Sequence, residues 1–388
     1  MSEWKKYVMN DLANIIDCEH KTAPKVDFSN YYSIRTSNIS NGKIDYHNAN
    51  RITKNTFQEW TKRGVPKEGD IILAREAPVG EVGLVKKGFN TCLGQRTVLI
   101  QLESNEVHNL FLLYYLVNPL IKHELKVRSK GSVVAHLNMK DIRAFQVSLP
   151  SLSEQKAIAS VLSSLDDKID LLQRQNKTLE AMAETLFREW FVEGAQEDWE
   201  EGVLGDISIN VKDGIKVIDI DPTFKYVALE HIDKKQIGLS GFEYATNVGS
   251  NKYRFKKGDI LYGKLRPYFH KVCFASFSGI CSTDILVIRP KNKDLLYFCL
   301  FAFFQKEVVD FSNAGTTGTR MPRTNWKILS SYELKIPDRK AIAKFNDVVM
   351  PCIEKINKNL SQIRTLENLR DTLLPKLMNG KIRIPTDG

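Results

Sequence analysis

The side chains that could act chemically are scattered, and none of them assembles into a catalytic set. Glu333 and Lys335 have the spacing of a nuclease pair, yet both lie in a strand-like run approaching Pro337 and no acidic partner precedes them at the expected place. The Asn118-Pro119 and Asp221-Pro222 pairs are followed by Leu120 and Thr223, so neither gives the proline-proline-aromatic motif of an amino-methyltransferase. No glycine fingerprint for a nucleotide stands between a strand and a helix, and no phosphate-cradling loop ends in lysine and serine or threonine. The six cysteines, Cys18, Cys92, Cys273, Cys281, Cys299 and Cys352, show neither a CxxC pair nor metal-ligand spacing. They read as reduced core thiols of a cytoplasmic protein, with no metal site expected. Lone histidines such as His20 and His108 carry no pattern.

What remains is a set of side chains suited to nucleic acid. Arg35, Ser37 and Asn38 follow the first strand-like run, and Arg75, Gln95 and Arg96 flank glycine-bearing loops. Arginine suits guanine in the major groove, and asparagine or glutamine suits adenine. Lys130, Ser132, His136 and Asn138 form a polar loop, and Arg320, Arg323 and Asn325 occupy the same place later in the chain. Lys264, Arg266, Tyr268 and His270 interleave cations with an aromatic ring, a pattern fitted to phosphates and base edges, and His231 joins the set. For each of these residues the competing reading is solvated surface. A net charge of +10 and a pI near 9.1 favour an acidic partner, of which nucleic acid is the commonest.

These residues need elements to position them, and the most regular element is the stretch 155–191. Its apolar register, Ile158, Leu162, Leu165, Ile169, Leu172, Asn176, Leu179, Ala183, Leu186 and Trp190, steps by four and three, the period of a coiled-coil seam. Asn176 interrupts that seam as a register-fixing polar residue. Ser153 is the expected N-cap. A helix of roughly 40 residues spans about 60 Å, longer than a domain core requires.

The second half of the chain restates the first with a shift near 187 residues. Glu68-Gly69-Asp70 recurs as Lys257-Gly258-Asp259, Asn138-Met139-Lys140 as Asn325-Trp326-Lys327, and Leu149-Pro150 as Ile336-Pro337. Lys156-Ala157-Ile158-Ala159 returns as Lys340-Ala341-Ile342-Ala343 three residues early, and Glu184-Thr185-Leu186-Phe187 returns as Asp371-Thr372-Leu373-Leu374. This implies a second long helix with a three-residue stammer. Its seam includes Ile353, Ile356, Leu360, Ile363, Leu369 and Leu373, and Pro351 predicts a bend near Cys352.

The expected fold is mixed α/β: two pseudo-symmetric globular domains separated by two long antiparallel coiled-coil helices. The boundaries are residues 1–150 for the first globular domain and 151–193 for the first helical spacer. The second domain takes 194–337, the second spacer 338–380 and a tail 381–388. Strands are expected at 32–35, 70–74, 79–85 and 97–102, then at 226–229, 259–262, 271–275 and 284–288. The apolar runs 110–117 and 295–304 are too short to span a bilayer and read as buried helices. The N-terminal residues lack the apolar core of a signal peptide. Two basic domains at a fixed separation suit a bipartite, asymmetric duplex target, with the rod as a ruler.

At these residues the chain resembles the specificity subunits of type I restriction-modification systems. The resemblance rests on Leu137-Asn138, Pro150, Glu154-Gln155-Lys156, Leu165-Asp166-Asp167-Lys168-Ile169-Asp170, Asn176, Leu179-Glu180 and the run from Leu186-Phe187 to Trp190-Phe191. The second half departs from it at Asp338-Arg339, Leu360 and Pro351. The resemblance implies a noncatalytic DNA-reading subunit with no cofactor of its own. Its partners would be double-stranded DNA, two modification subunits carrying S-adenosylmethionine, and restriction subunits using ATP with Mg2+. The seam residues of the spacers would then serve half-site spacing and partner docking. The competing hypotheses are a coiled-coil adaptor and a self-contained DNA-modifying enzyme.

Overall fold

The structure, a computed structural model, describes residues 4–129, 136–316 and 321–385. It divides into two compact units, Met1–Lys168 with Leu366–Gly388, and Ile169–Thr365. The chain passes from one unit to the other within its two long helices, Leu152–Phe187 and Arg339–Met378.

The first unit is built on Thr97–Leu102, a β-branched run held between Ala13–Asp17 and Ile71–Ala74, antiparallel to both. Ile100 faces Ile15 on one side and Ile71 on the other, and Val82–Leu84 extends the sheet. Strand alternation decides what each residue covers. Val98 and Ile100 enter the core beneath the apolar helix Asn109–Val117, whereas Leu99 enters the core shared with the small sheet of Asn50–Ile52, Tyr31–Ile34 and Asn90–Leu93. The helix ends at Asn118, whose Oδ1 accepts the N–H of Leu120 and starts the next helix, Pro119–Arg128, with proline in its first turn. The expected strand at 79–85 is shorter than the apolar pattern suggested, because Gly80 turns at φ +83° before the pairing begins.

The second unit repeats this plan. Ile285–Pro290 is held between Ser208–Val211 and Ile260–Gly263, with Val272–Phe274 outside. Leu286 and Ile288 face the helix Leu296–Phe304, and Val287 faces a second sheet of five strands. Gly69 and Gly258 both turn at positive φ before their strands, and Asp70 and Asp259 each accept the backbone N–H three residues earlier at 2.7 Å. The glycine turns expected from the repeat are therefore real.

Within the first unit the two long helices run antiparallel. Asp166 pairs with Arg370 of the second helix, and Glu154 near the start of the first pairs with Arg383 just past the end of the second, so the partner number falls as the first rises. In the second unit Asn176 meets Asn359 and Phe187 meets Phe345, with the same sense. The buried register matches the expected seam at Ile158, Leu162, Ile169, Leu172, Asn176 and Ala183. In the second helix Asn359, fully buried, takes the place expected for Leu360, and Leu369 is 45% exposed. The offset of 187 holds through this helix as well. Ile158 and Leu162 have their counterparts in buried Phe345 and Val349, so the early match at Lys340 is a local likeness and not a deletion. The helix continues on both sides of Pro351, which neither starts nor ends it. Ser151, not Ser153, accepts the N–H of Glu154 at the first helix start, and Asp338 accepts the N–H of Ala341 at the second. No described helix is long and apolar enough to cross a membrane.

Glu180 of the first long helix accepts the N–H groups of Ile237 and Gly238 at 3.1 and 3.2 Å. Burial pushes its pKa up to about 7, against the pull of those two donors. A carboxyl raised in the folded state contributes fully below its ordinary pKa of 4.5, and that contribution is lost as pH rises to 7. Glu180→Gln should therefore match the parent in urea denaturation near pH 4.5 and exceed it by about 3 kcal/mol at pH 8. A difference that does not change with pH would contradict this account.

Candidate nucleic-acid interface

One edge of the first unit gathers residues from distant parts of the chain. Backbone hydrogen bonds set it up: Arg75 N–H to the Arg96 carbonyl at 3.0 Å, Leu137 N–H to the Arg75 carbonyl at 2.8 Å, and Gly94 N–H to the Ile34 carbonyl at 2.8 Å. Gly94 must lack a side chain here, since a Cβ would stand 2.6 Å from the Ile34 carbonyl oxygen. These bonds bring Arg35, Arg75, Gln95, Arg96 and the segment His136 to Asn138 to the ends of Ala13–Asp17, Tyr31–Ile34, Ile71–Ala74 and Asn90–Leu93.

The second unit assembles the same edge on the same bonds. Lys264 N–H reaches the Asp284 carbonyl at 2.8 Å, and Thr324 N–H reaches the Lys264 carbonyl at 3.1 Å. Arg266, at φ +51°, donates its N–H to the Pro322 carbonyl at 2.8 Å. Asp284 thus stands on the backbone where the first unit has Arg96, and Lys264 stands where it has Arg75.

Side-chain bonding separates the candidates. Arg75 is 13% exposed, donates from Nη1 to both oxygens of Asp17 and from Nε to the Leu137 carbonyl, and so helps to hold the edge together. Asn38 is buried, with its amide accepting from Arg35 N–H and donating to the Asn48 carbonyl. His231 is its counterpart: Nδ1 accepts the Ala228 N–H at 3.0 Å, closing the equivalent short turn. Asn138 is the N-cap residue of Met139–Arg143 with its amide on Asp141, and Asn325 caps Trp326–Ser330 through the Ile328 N–H. Gln95 ties Thr22 and the His20 carbonyl to the hairpin. His270 is buried against Phe304, the position that Gly80 occupies in the first unit.

Other candidates stay at the surface. Ser37 is exposed, Tyr268 is 49% exposed, and Arg35, His136, Lys264 and Arg266 are half-buried. Burial lowers the pKa of Lys264, and Asp284 opposes that shift. Arg96 is half-exposed and paired to Glu76, and Arg323 is half-exposed and paired to Asp284. Lys130, Ser132 and Arg320 lie outside the described residues. Sequence reasoning missed the carboxylates Asp17, Glu76 and Asp284, because in a basic chain acidic residues read as background. Asp17, Cys18 and His20 cluster closely enough to share a cation, as do Glu230, His231 and Glu243. In the first cluster the Arg75 guanidinium already occupies Asp17, and in the second the Ala228 N–H occupies His231 Nδ1.

The expected docking residues are covered within their own units. Ile158, Leu162, Ile169, Leu172, Asn176, Ile353, Ile356 and Ile363 are buried, and Leu165, Leu179, Leu186, Trp190, Leu360 and Leu373 are half-buried. The seam keeps the helices paired and leaves their outer faces exposed. There Met182 is 52% exposed beside Thr185 and Leu186, and at the same offset Leu369 is 45% exposed beside Thr372 and Leu373.

The family model described as the Type I restriction modification DNA specificity domain matches residues 1–181 and again residues 196–365. The type I restriction enzyme MjaIX specificity subunit of Methanocaldococcus jannaschii is 28% identical over 367 residues, covering 86% of this chain and 82% of that one. The EcoDI specificity subunit of Escherichia coli is 24% identical over 315 residues, covering 70% and 69%. The solved S subunit of a type I restriction-modification system from M. genitalium shares the fold, with a TM-score of 0.60 at 17% identity over 96% of each chain.

Arg75→Met should lower stability by about 1–3 kcal/mol, since Asp17 loses its cation and the Leu137 carbonyl its donor. Arg96→Met should stay within about 0.5 kcal/mol. Equal losses in paired thermal denaturation curves would place Arg75 among the exposed residues.

Proposed function

The chain belongs to the family of the type I restriction modification DNA specificity domain and is a specificity subunit of such a system; from that premise we propose that each unit reads one half of a bipartite, asymmetric DNA target. The observation that carries this reading is the duplicated edge. One set of backbone bonds presents Arg96 and Glu76 in one unit and Asp284 and Arg323 in the other, so a shared frame offers different reading groups. A different set of side chains on the same frame selects a different base sequence. The continuous long helices support a role in half-site spacing, and the chain acts in the cytoplasm without catalysis of its own.

Two modification subunits bind the outer helical faces around Met182 and Leu369. The recurrence of an exposed apolar side chain beside threonine and leucine at one offset supports two copies of one partner. Those subunits supply S-adenosylmethionine and methylate adenine, and restriction subunits using ATP and Mg2+ join through them.

Exchanging residues 1–150 for those of a relative should change one half of the methylated motif and leave the other half and the gap intact. Methylation sequencing of cells carrying the exchange reads this directly, and a motif unaffected by the exchange refutes the assignment. Met182→Asp and Leu369→Asp should each remove one of two bound modification subunits in native mass spectrometry. Retention of both copies in the double variant would move the docking face elsewhere.

A further inference from the structure

We propose that Arg96 and Arg323 are the guanine-reading side chains of the two units, and that Glu76 and Asp284 are positioning residues that aim them. This deepens the specificity-subunit reading and rests on it. Arg96 Nε lies 2.9 Å from Glu76 Oε2, and Arg323 Nε donates to Asp284 Oδ1 at 3.2 Å. The side chains are 54% and 50% exposed, and their Nη groups have no protein partner among the described residues. A guanidinium held at Nε presents both Nη groups as a fork, the geometry that meets O6 and N7 of guanine in the major groove.

Neighbouring arginines lack this arrangement. Arg75 engages both Nε and Nη1, and Arg63 has Nε on Glu19 and Nη1 on the Cys18 carbonyl. Arg289 closes both ends of its fork on Asp259. Backbone conformation adds an independent point in the first unit. Arg96 sits at φ +70°, where glycine or asparagine is the ordinary choice, so the chain places a long cation where a small residue is conformationally easier. In the second unit the hairpin position equivalent to Arg96 holds the acid, Asp284, and the cation comes from the adjacent loop through Arg323. The frame is shared but the cations enter it from different points, Arg96 from the hairpin and Arg323 from the loop position that His136 holds in the first unit, so the two forks address different positions in their half-sites.

The test uses the full chain assembled with its modification subunits, with the wild-type motif first mapped by methylation sequencing. Absence of a split motif for the wild type overturns the specificity-subunit reading and this inference with it. Given a motif, R96A should relax one guanine in one half, with discrimination falling about tenfold to a hundredfold. R323A should do the same in the other half. Replacing that guanine by 7-deazaguanine should slow methylation by the wild type and leave R96A unaffected. Glu76→Gln should reduce discrimination without reducing affinity for unrelated duplex, and Glu76→Asp should restore part of it. If R96A and R323A keep the motif intact and weaken binding to all duplexes alike, with a shallower salt dependence, the arginines contact phosphate and the inference fails.

Discussion

The joining of the long helices to the main sheet of the second unit depends on the aromatic cluster in which Phe345 meets Phe187, Phe191 and Phe301 at centroid distances of 5.0 to 5.9 Å. Phe187 and Phe191 end the first long helix, Phe345 opens the second, and Phe301 lies on the helix that covers the main sheet. Rings of this size dominate core energetics, and three elements share the same burial. In the first unit the equivalent place is filled by Ile158 and Leu162 from one helix, Leu374, Leu377 and Met378 from the other, and Phe111 beneath them. A recognition domain therefore has no complete core without segments of both long helices. The orientation of its strand-end edge to those segments follows from packing, and the exposed side chains of the edge, such as Arg96 and Arg323, lie outside the core clusters.

Polar groups set what apolar packing leaves open. Asn359 donates to Asn176 at 2.8 Å and to Gln175 at 2.9 Å in an otherwise apolar seam. Any slip of the helices would bury both amides without partners, at a cost of about 1–3 kcal/mol each. Gln155 does a related task at the helix start, bridging the Glu106 and Pro150 carbonyls and the His108 N–H. Asn346 reaches the equivalent loop in the second unit at the Asp294 carbonyl from one turn further along. The long helices are thus keyed to their domains by amides as well as packed against them.

The repeat, the sheet strands and the first helical seam were legible because they depend on periodicity and turn residues that act locally. Gly69 and Gly258 announced their turns, and Asn176 announced a buried polar contact. Its partner could not be read, since choosing Asn359 over Leu360 depends on how the second helix is rotated. The site was legible only as a population of residues. Arg75 and Arg96 look alike in sequence, and what separates them is Asp17 against Glu76, acids remote in sequence that folding brings beside them. Asn38, Asn138 and Asn325 carry the amide that suits adenine, but in the fold Asn38 closes a short turn, Asn325 caps a short helix and Asn138 donates to Asp141, so local partners claim the group first.

Under the proposed reading of this edge, its carboxylates are part of recognition and not an exception to it. In a chain of net charge +10, bare arginines would attract any phosphate backbone, and affinity gained that way carries no sequence information. Glu76 and Asp284 offset that attraction locally, because each repels the phosphates its arginine would otherwise draw in. The repulsion falls on every sequence alike, while the fork held at Nε keeps its hydrogen bonds for one base. Since specificity is a difference between affinities, an acid that weakens all complexes but weakens the matched one least raises the difference. The backbone frame itself holds an arginine at Arg96 in one unit and an acid at Asp284 at the equivalent place in the other, so the charge shown at that position is not dictated by the bonds that build the frame.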